Sequence, residues 1–136
     1  MQRDNYILVI DDDPDILDAI RLLLEDEGYA VKTSDKGEYA ESLHDENGGL
    51  PDLIILDILL SGKDGRTICR KLKARADTRH IPIILLSAHP DAARSAAEVG
   101  ADAYLAKPFH IDDLLAEVAR QLAVPPAASS PEEGTV

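Results

Sequence analysis

The sequence predicts an α/β domain in which a parallel β-sheet lies between two layers of helices. Five short apolar runs recur along the chain, and three of them are almost entirely Ile, Leu and Val. Such runs are typical of parallel strands that are buried on both faces. The segments between the runs carry apolar residues at helical spacing, and strands that alternate with helices imply right-handed β-α-β units. We therefore expect one three-layer domain.

The predicted strands cover residues 6–10, 29–33, 53–56, 83–86 and 103–105. The first, third and fourth are the near-continuous aliphatic runs, so they are expected to be buried on both faces. The third run continues through Asp57, a single carboxylate among aliphatic residues. An isolated acid at this position, near the expected centre of the sheet, indicates a site rather than a packing role.

The first predicted helix has recognisable ends. Asp13 can cap it with Pro14 in the first turn, and Gly28 can end it in the left-handed conformation. Its apolar residues form one stripe: Ile16, Leu17, Ile20, Leu23 and Leu24. The last helix repeats this pattern with Ile111, Leu114, Leu115, Val118 and Leu122. Both helices are expected to pack one face on the sheet.

The three middle helices are less regular. The second is expected around residues 38–45, and the third from about Asp64, with Ile68, Cys69 and Leu72 buried. The fourth, residues 90–99, is built largely on alanine, so it buries little side-chain area and should be the least firmly anchored. The thiol of Cys69 is interpreted as a small core group rather than a nucleophile.

Length and composition restrict the class of protein. A chain of 136 residues fits one domain, expected over residues 5–123, and the Pro-, Ser- and Glu-containing residues 124–136 are expected to be a disordered tail or the start of a linker. The formal charge of −12 argues against direct nucleic-acid binding. A single cysteine excludes an internal disulfide, and there is no long apolar run, so a cytoplasmic protein without membrane contact is expected.

Polar side chains follow four of the five predicted strands. They are Asp11, Asp12 and Asp13 after the first strand, Asp57 after the third, Ser87 after the fourth and Lys107 after the fifth. Ligands of open α/β sheets bind at the carboxyl ends of the strands, so these groups are expected to share one edge. Carboxylate oxygens suit Mg²⁺, and a lysine near them suits a phosphoryl group. Asp57 could be a metal ligand or could accept an acyl phosphate.

Four segments resemble the receiver domain of two-component response regulators. They are LVIDDDPD (8–15), DLIILDILLSGKDG (52–65), IPIILLSA (81–88) and GADAYLAKPF (100–109). The resemblance covers roughly residues 5–123, with all segments in family order. It implies a flavodoxin-like (βα)5 fold, a three-layer sandwich whose five-stranded parallel sheet has the order 2-1-3-4-5.

The resemblance also implies a function. Asp57 would take a phosphoryl group from the phosphohistidine of a sensor histidine kinase or phosphotransfer protein in an Mg²⁺-dependent reaction. Asp12 and Asp57 would bind Mg²⁺ directly, Asp11 would bind it through water, and the backbone carbonyl of Leu59 would complete the protein ligands. Asp13 is then the helix cap. The chain would be a signalling switch that catalyses its own phosphorylation and slow dephosphorylation, rather than a turnover enzyme.

Further roles follow from the same resemblance. Ser87 and the backbone N–H of Ala88 would hold phosphoryl oxygens, and Lys107, before a cis peptide bond to Pro108, would pair with the phosphoryl group. Tyr104 would turn inward as Ser87 moves. The signal would leave through the face formed by the fourth helix, fifth strand and fifth helix, to an output protein or a fused effector domain, and dimerisation on activation is compatible with this.

The sequence departs from the family at three positions near Asp57. Ser61 stands where proline is common, which is expected to loosen the loop after Asp57. Leu59 and His89 occupy positions that modulate dephosphorylation in the family. An apolar Leu59 cannot orient a water molecule, whereas His89 either orients one or points into solvent.

Three other classes fit less well. A phosphatase with an aspartyl nucleophile on the first strand needs Thr or Val where Asp15 stands, and it needs a cap domain. A degenerate receiver that only binds partners would lack an acidic position or the lysine, and all are present. A flavodoxin would carry a Ser/Thr/Gly phosphate-binding loop after the first strand, and this chain has no such loop there.

Overall fold

The computed structural model describes residues 6–43, 49–89 and 91–123. Seven strands are found in these ranges: β1 Tyr6–Ile10, β2 Ala30–Ser34, β3 Leu53–Asp57, β4 Leu59–Leu60, β5 Lys63–Asp64, β6 Ile83–Ser87 and β7 Ala103–Ala106. Five helices accompany them: α1 Pro14–Asp26, α2 Gly37–Glu41, α3 Gly65–Ala74, α4 Ala92–Glu98 and α5 Ile111–Ala123.

The main sheet has five parallel strands in the order β2-β1-β3-β6-β7. The short strands β4 and β5 form a separate antiparallel hairpin, so β6 and β7 are the fourth and fifth strands of the main sheet. The order is therefore 2-1-3-4-5, and the expected flavodoxin-like fold is confirmed. In this order the strand that follows β1 lies on one side of it, and the strands that follow β3 lie on the other side of the sheet. Ligands of such sheets bind at this switch point, between β1 and β3.

Two apolar clusters cover the two faces of the sheet, because alternate residues of each strand point to opposite sides. Ile7 and Val9 pack with α1 and α5, whereas Leu8 and Ile10 pack with α2, α3 and α4. The strands β1, β3 and β6 are buried along their whole length. This burial confirms the interpretation of the three aliphatic runs as central strands.

The ends of α1 agree with the sequence analysis. The Asp13 carboxylate accepts a hydrogen bond of 2.9 Å from the backbone N–H of Asp15, and Pro14 is the first helical residue. Gly28 follows the helix with φ of 99°, a conformation that a side chain would disfavour. Asp13 is thus a helix cap, which separates it from the two preceding aspartates. No helix in the three described ranges is long and apolar enough to cross a bilayer.

Several boundaries differ from the predicted ones. The second strand is shifted by one residue, to Ala30–Ser34, and α2 ends at Glu41 because only Gly37 and Ala40 in it are buried. The third helix begins after Asp64, whose carboxylate caps it. The described part of the fourth helix is Ala92–Glu98. The predicted helical residues 44 and 45, Pro90 and the tail 124–136 lie outside the described residues.

The β4–β5 hairpin was not predicted from the sequence. Two residues, Ser61 and Gly62, connect its strands, and Gly62 has φ of 73°. A Ser-Gly pair is a turn signal, but strands of two residues are too short to produce an alternating pattern. The hairpin begins two residues after Asp57, so it belongs to the surroundings of the predicted site.

Cys69 lies in the core between α3 and the end of α4. Its side chain is fully buried, and its thiol donates a hydrogen bond to the carbonyl of Val99 at 3.7 Å. Burial raises the pKa of the Cys69 thiol to about 11, so the thiolate is not populated at neutral pH. This agrees with the interpretation of Cys69 as a core residue.

Candidate functional site

The register of the sheet brings four polar residues to one edge. Ile10 pairs with Leu56, so Asp11 and Asp57 occupy equivalent positions one step further along β1 and β3. Asp57 pairs with Leu86, which places Ser87 next to it, and the Ser87 carbonyl accepts a hydrogen bond of 2.9 Å from the N–H of Lys107. Neighbouring strand ends therefore bring Asp11, Asp57, Ser87 and Lys107 together, as predicted from the sequence.

Three carboxylates converge at this edge. One oxygen from each of Asp11, Asp12 and Asp57 lies within 4.8 Å of the others. Asp11 is fully buried, Asp57 is nearly so, and Asp12 is exposed. The donors are all carboxylate oxygens, which are the ligands that a hard divalent cation such as Mg²⁺ prefers. The donor set fits that ion.

Lys107 is the cation that forms ion pairs with this cluster in the described part of the chain. Its Nζ lies 2.8 Å from Oδ2 of Asp11 and 3.3 Å from Oδ2 of Asp57, and the Lys107–Pro108 peptide bond is cis. Burial acts to lower the pKa of Lys107, but the hydrogen bond to Asp11 and the charge of Asp57 outweigh it and hold the pKa above the usual value. Among the described residues, one ammonium group faces three carboxylates, so two formal negative charges are not offset by an ion pair.

The charged form of the Asp57 side chain is disfavoured at this position. Burial, and after it the charge of Asp11, raise its pKa from 3.8 to about 6. Lys107 and a backbone hydrogen bond from Leu59 oppose the rise. A perturbed carboxyl group in a cluster of like charges is typical of functional sites, since a fold gains nothing from the repulsion.

The other two acids are held by different partners. The backbone N–H of Asp13 donates to Oδ1 of Asp11 at 3.0 Å, which adds to the Lys107 contact. Asp12 accepts a hydrogen bond of 3.0 Å on Oδ2 from the hydroxyl of Ser61 in the hairpin turn. The loop after β1 and the hairpin after β3 are thus joined through two side chains.

Ser87 is hydrogen-bonded both to the loop before α4 and to Tyr104 in β7. Its Oγ accepts a hydrogen bond of 3.0 Å from the N–H of His89, and its carbonyl accepts one of 3.1 Å from the hydroxyl of Tyr104. Tyr104 is half-buried against the core. The His89 ring is exposed, and its Nδ1 accepts a hydrogen bond of 3.1 Å from the N–H of Asp91. One of its two ring nitrogens is therefore engaged in the loop before α4.

Leu59 is the most exposed large apolar side chain among the described residues, at 64%. Its backbone, by contrast, is ordered in β4, and its N–H contacts the Asp57 carboxylate. An exposed apolar side chain beside the acid offers no hydrogen bond to water, as expected from the residue type.

Gly65 is a residue of the site that the sequence analysis did not single out. Its N–H donates to the carbonyl of Ile58 at 2.7 Å, and a Cβ at this position would lie 2.2 Å from the carbonyl oxygen of Asp57. No side chain fits there while the backbone of Asp57 keeps its place. The Asp-Gly pair at the start of α3 was the available signal.

A doubly wound parallel sheet with an acidic edge and a paired lysine defines a class of small signalling domains. The family model described as the response regulator receiver domain matches residues 7–119. The chain belongs to this family of two-component signal transduction proteins.

Individual relatives agree with this assignment. The chain is 38% identical over 118 residues to the phosphate regulon transcriptional regulatory protein PhoB of Rhizobium meliloti (strain 1021), an alignment that covers 85% of this chain and 51% of the relative. The chain spans about half the length of the curated relatives it matches.

Solved structures agree as well. The receiver domain of NtrX from Brucella abortus superposes with a TM-score of 0.77 at 32% identity, covering 88% of this chain and 99% of that chain. A two-component response regulator from Clostridium difficile superposes with a TM-score of 0.75 at 30% identity, covering 88% and 96%.

Proposed function

We propose that this domain is a phospho-acceptor switch in which Asp57 receives a phosphoryl group from the phosphohistidine of a sensor histidine kinase or phosphotransfer protein. One observation carries the proposal: the carboxylates of Asp11, Asp12 and Asp57 meet within 4.8 Å, beside the ammonium group of Lys107. This arrangement leaves a negative charge that a cation offsets, and it presents one nearly buried carboxylate as a nucleophile.

The chemical step is a transfer between two partners. An oxygen of the Asp57 carboxylate forms a bond to phosphorus while the bond from phosphorus to the partner's imidazole nitrogen breaks. The imidazole leaves with the electron pair of that bond as a neutral ring, because its other nitrogen carries a proton. The products are an acyl phosphate on Asp57 and a free histidine on the partner, so no further reactant is needed.

Asp12 and Asp57 would hold Mg²⁺ directly, with Asp11 acting through water and the Leu59 carbonyl as a further ligand. Bound Mg²⁺ supplies positive charge that screens the carboxylates from the incoming phosphoryl oxygens. Asp11 is already fixed by Lys107 and by the N–H of Asp13, so its carboxylate is oriented before any ligand arrives. Orientation in advance favours transfer, since less reorganisation accompanies the reaction.

Three groups would receive the transferred phosphoryl oxygens. Lys107 already contacts Oδ2 of Asp57, so its ammonium group is within reach of a phosphoryl group attached there. Ser87, with its hydroxyl, ends the adjacent strand β6, and the N–H of Ala88 comes directly after it. The hydroxyl of Ser87 can donate its hydrogen, because its oxygen acts as an acceptor toward His89.

The signal would leave through the surface formed by α4, β7 and α5. Tyr104 in β7 contacts the carbonyl of Ser87, so movement of Ser87 toward a phosphoryl group alters the surroundings of the ring. Helix α4 buries only the small side chains of Ala92 and Ala96, so little apolar area opposes its displacement. The recipient would be an output protein or an effector domain fused to this one.

Phosphorylation is expected to require a divalent cation. The chain should gain one phosphoryl group when it is incubated with acetyl phosphate and MgCl₂, and almost none when EDTA is added, because the uncompensated carboxylates repel the donor. Intact-protein mass spectrometry measures the fraction modified. Equal labelling with and without EDTA would contradict the role of the acidic cluster.

Activation is expected to change the α4–β7–α5 surface. Beryllofluoride with Mg²⁺ binds carboxylates as a phosphoryl mimic, so it should shift the amide resonances of Ser87, Tyr104 and α4 in ¹H–¹⁵N spectra. The resonances of α1 beyond its first turn serve as an internal reference and should shift less. Shifts confined to the loops that carry the acids would contradict the proposed output surface.

A further inference from the structure

We propose that Ser61 is a positioning residue that orients the Asp12 carboxylate for Mg²⁺. This inference rests on the proposed function, because it concerns a ligand of the proposed metal site. It was not expected from the sequence, where Ser61 suggested a looser loop. In the structure the Ser61 hydroxyl instead donates a hydrogen bond of 3.0 Å to Oδ2 of Asp12, across 49 positions of the chain.

Asp12 is the member of the cluster that most needs an external restraint. Asp11 is buried and held by Lys107 and by the N–H of Asp13, and Asp57 is held by Lys107 and by the N–H of Leu59. Asp12 is exposed, and within the described ranges the Ser61 hydroxyl is the side-chain partner found for it. Without that hydrogen bond its carboxylate would rotate among several positions.

The hairpin that carries Ser61 also contacts Asp57. Leu59 in β4 donates its backbone N–H to the Asp57 carboxylate, and Ser61 follows in the turn two residues later. The hairpin is anchored at its other end, where the N–H of Gly65 donates to the carbonyl of Ile58 at 2.7 Å. One short element therefore restrains both carboxylates that are proposed to bind the ion directly.

The hydrogen bond leaves room for a cation. A carboxylate has two oxygens and about four acceptor positions, and the hydroxyl occupies one position on Oδ2. A hydroxyl donor is neutral, so it fixes the orientation of Asp12 without adding positive charge that would repel Mg²⁺. Proline, the common residue at this position in the family, has no such donor, so this contact is a property of the serine in this chain.

The test is an MgCl₂ titration that is followed by ¹H–¹⁵N spectra of four proteins. They are the wild type, Ser61→Ala, Ser61→Thr and the control Thr67→Ala, which removes an exposed hydroxyl on α3. The dissociation constant for Mg²⁺ should rise in Ser61→Ala by roughly tenfold, near the lower end of the range for groups that orient metal ligands, because both side chains are exposed. Ser61→Thr should restore most of the affinity, and Thr67→Ala should match the wild type.

The outcomes separate this inference from the proposed function. If the wild type shows no saturable response to MgCl₂, both are contradicted. If the wild type binds Mg²⁺ and Ser61→Ala binds it equally well, only the positioning role is contradicted. Tighter binding by Ser61→Ala would also overturn that role, since it would mean that the hydroxyl competes with the ion. Thermal unfolding midpoints of the four proteins show whether any loss of affinity comes from a loss of folded structure.

Discussion

Asp57→Asn is expected to abolish labelling by acetyl phosphate and Mg²⁺. The amide is a poor nucleophile, and an acyl phosphate cannot form on it. The neighbouring acids are not expected to replace it. Asp11 is fully buried and is held by Lys107, and Asp12 is exposed beside Ser61. Intact-protein mass spectrometry after a fixed incubation should show the labelled species in the wild type and none in the variant.

Asp13→Asn is the matched control for this substitution. It removes a carboxylate two residues from Asp11, but asparagine caps helices about as well as aspartate, so α1 should be unaffected. Its labelling should equal that of the wild type. Loss of labelling in Asp13→Asn, or retention of labelling in Asp57→Asn, would contradict the assignment of Asp57.

The free energy of unfolding should depend on pH differently in the wild type and in Asp57→Asn. Because burial and Asp11 raise the pKa of Asp57 from 3.8 to about 6, the charged carboxylate destabilises the folded state once the pH exceeds its unfolded pKa. The wild type without Mg²⁺ should therefore lose stability relative to the variant as the pH rises from about 4 to about 6, by up to roughly 3 kcal/mol. The difference should vanish below about pH 4, where the group is protonated in both states. Chemical unfolding across this pH range measures it.

Gly65→Ala is expected to displace the backbone of Asp57, the proposed phospho-acceptor. The added methyl carbon would lie 2.2 Å from the carbonyl oxygen of Asp57 and 2.9 Å from Cα of Ile58, and both contacts are with backbone atoms. The backbone must therefore move, which costs about 1–3 kcal/mol or more of unfolding free energy. Any shift of Asp57 away from Lys107 should also slow labelling by at least about tenfold, since small displacements of reacting groups have large effects on rate.

Gly37→Ala is the control for Gly65→Ala, because both glycines begin a helix. At Gly37 the added carbon would meet Cδ1 of Ile68 at 2.7 Å and Cδ1 of Leu60 at 3.2 Å, and these ends of flexible side chains can move. The control should lose less stability and keep its labelling rate. Similar losses of labelling in the two variants would mean that the close approach of Gly65 to Asp57 has no special role.

The central sheet could be predicted from the sequence because its signals are local. The aliphatic runs of β1, β3 and β6 are buried on both faces, so their composition alone identifies them. The order of the strands was less accessible. It followed from the family resemblance, because right-handed crossovers permit several orders and local patterns do not choose between them.

The site was predictable as a set of residues but not as a set of contacts. Asp11, Asp57 and Lys107 follow strands, so their convergence was expected from the rule for parallel sheets. The Ser61–Asp12 hydrogen bond joins residues that are far apart in the chain, and it depends on a hairpin with strands of two residues. Such a contact leaves no periodic signal in the sequence.

Gly65 shows a second limit of sequence reasoning. A glycine at the start of a helix is compatible with a turn, a cap or a close approach, and the sequence does not distinguish them. Only the position of the Asp57 carbonyl oxygen shows that the requirement is space rather than backbone conformation. The close contact between Gly65 and the backbone of Asp57 is therefore seen only in the tertiary structure.

The central claim is that the phosphoryl group is carried by Asp57 as an acyl phosphate. The most direct measurement is reduction of the phosphorylated chain with sodium borohydride, which converts an aspartyl phosphate to homoserine, followed by peptide mapping with mass spectrometry. We expect homoserine at position 57 and unmodified aspartate at Asp11, Asp12 and Asp13. Homoserine at any of those three positions, or unmodified Asp57 in a chain that carries the label, would contradict it.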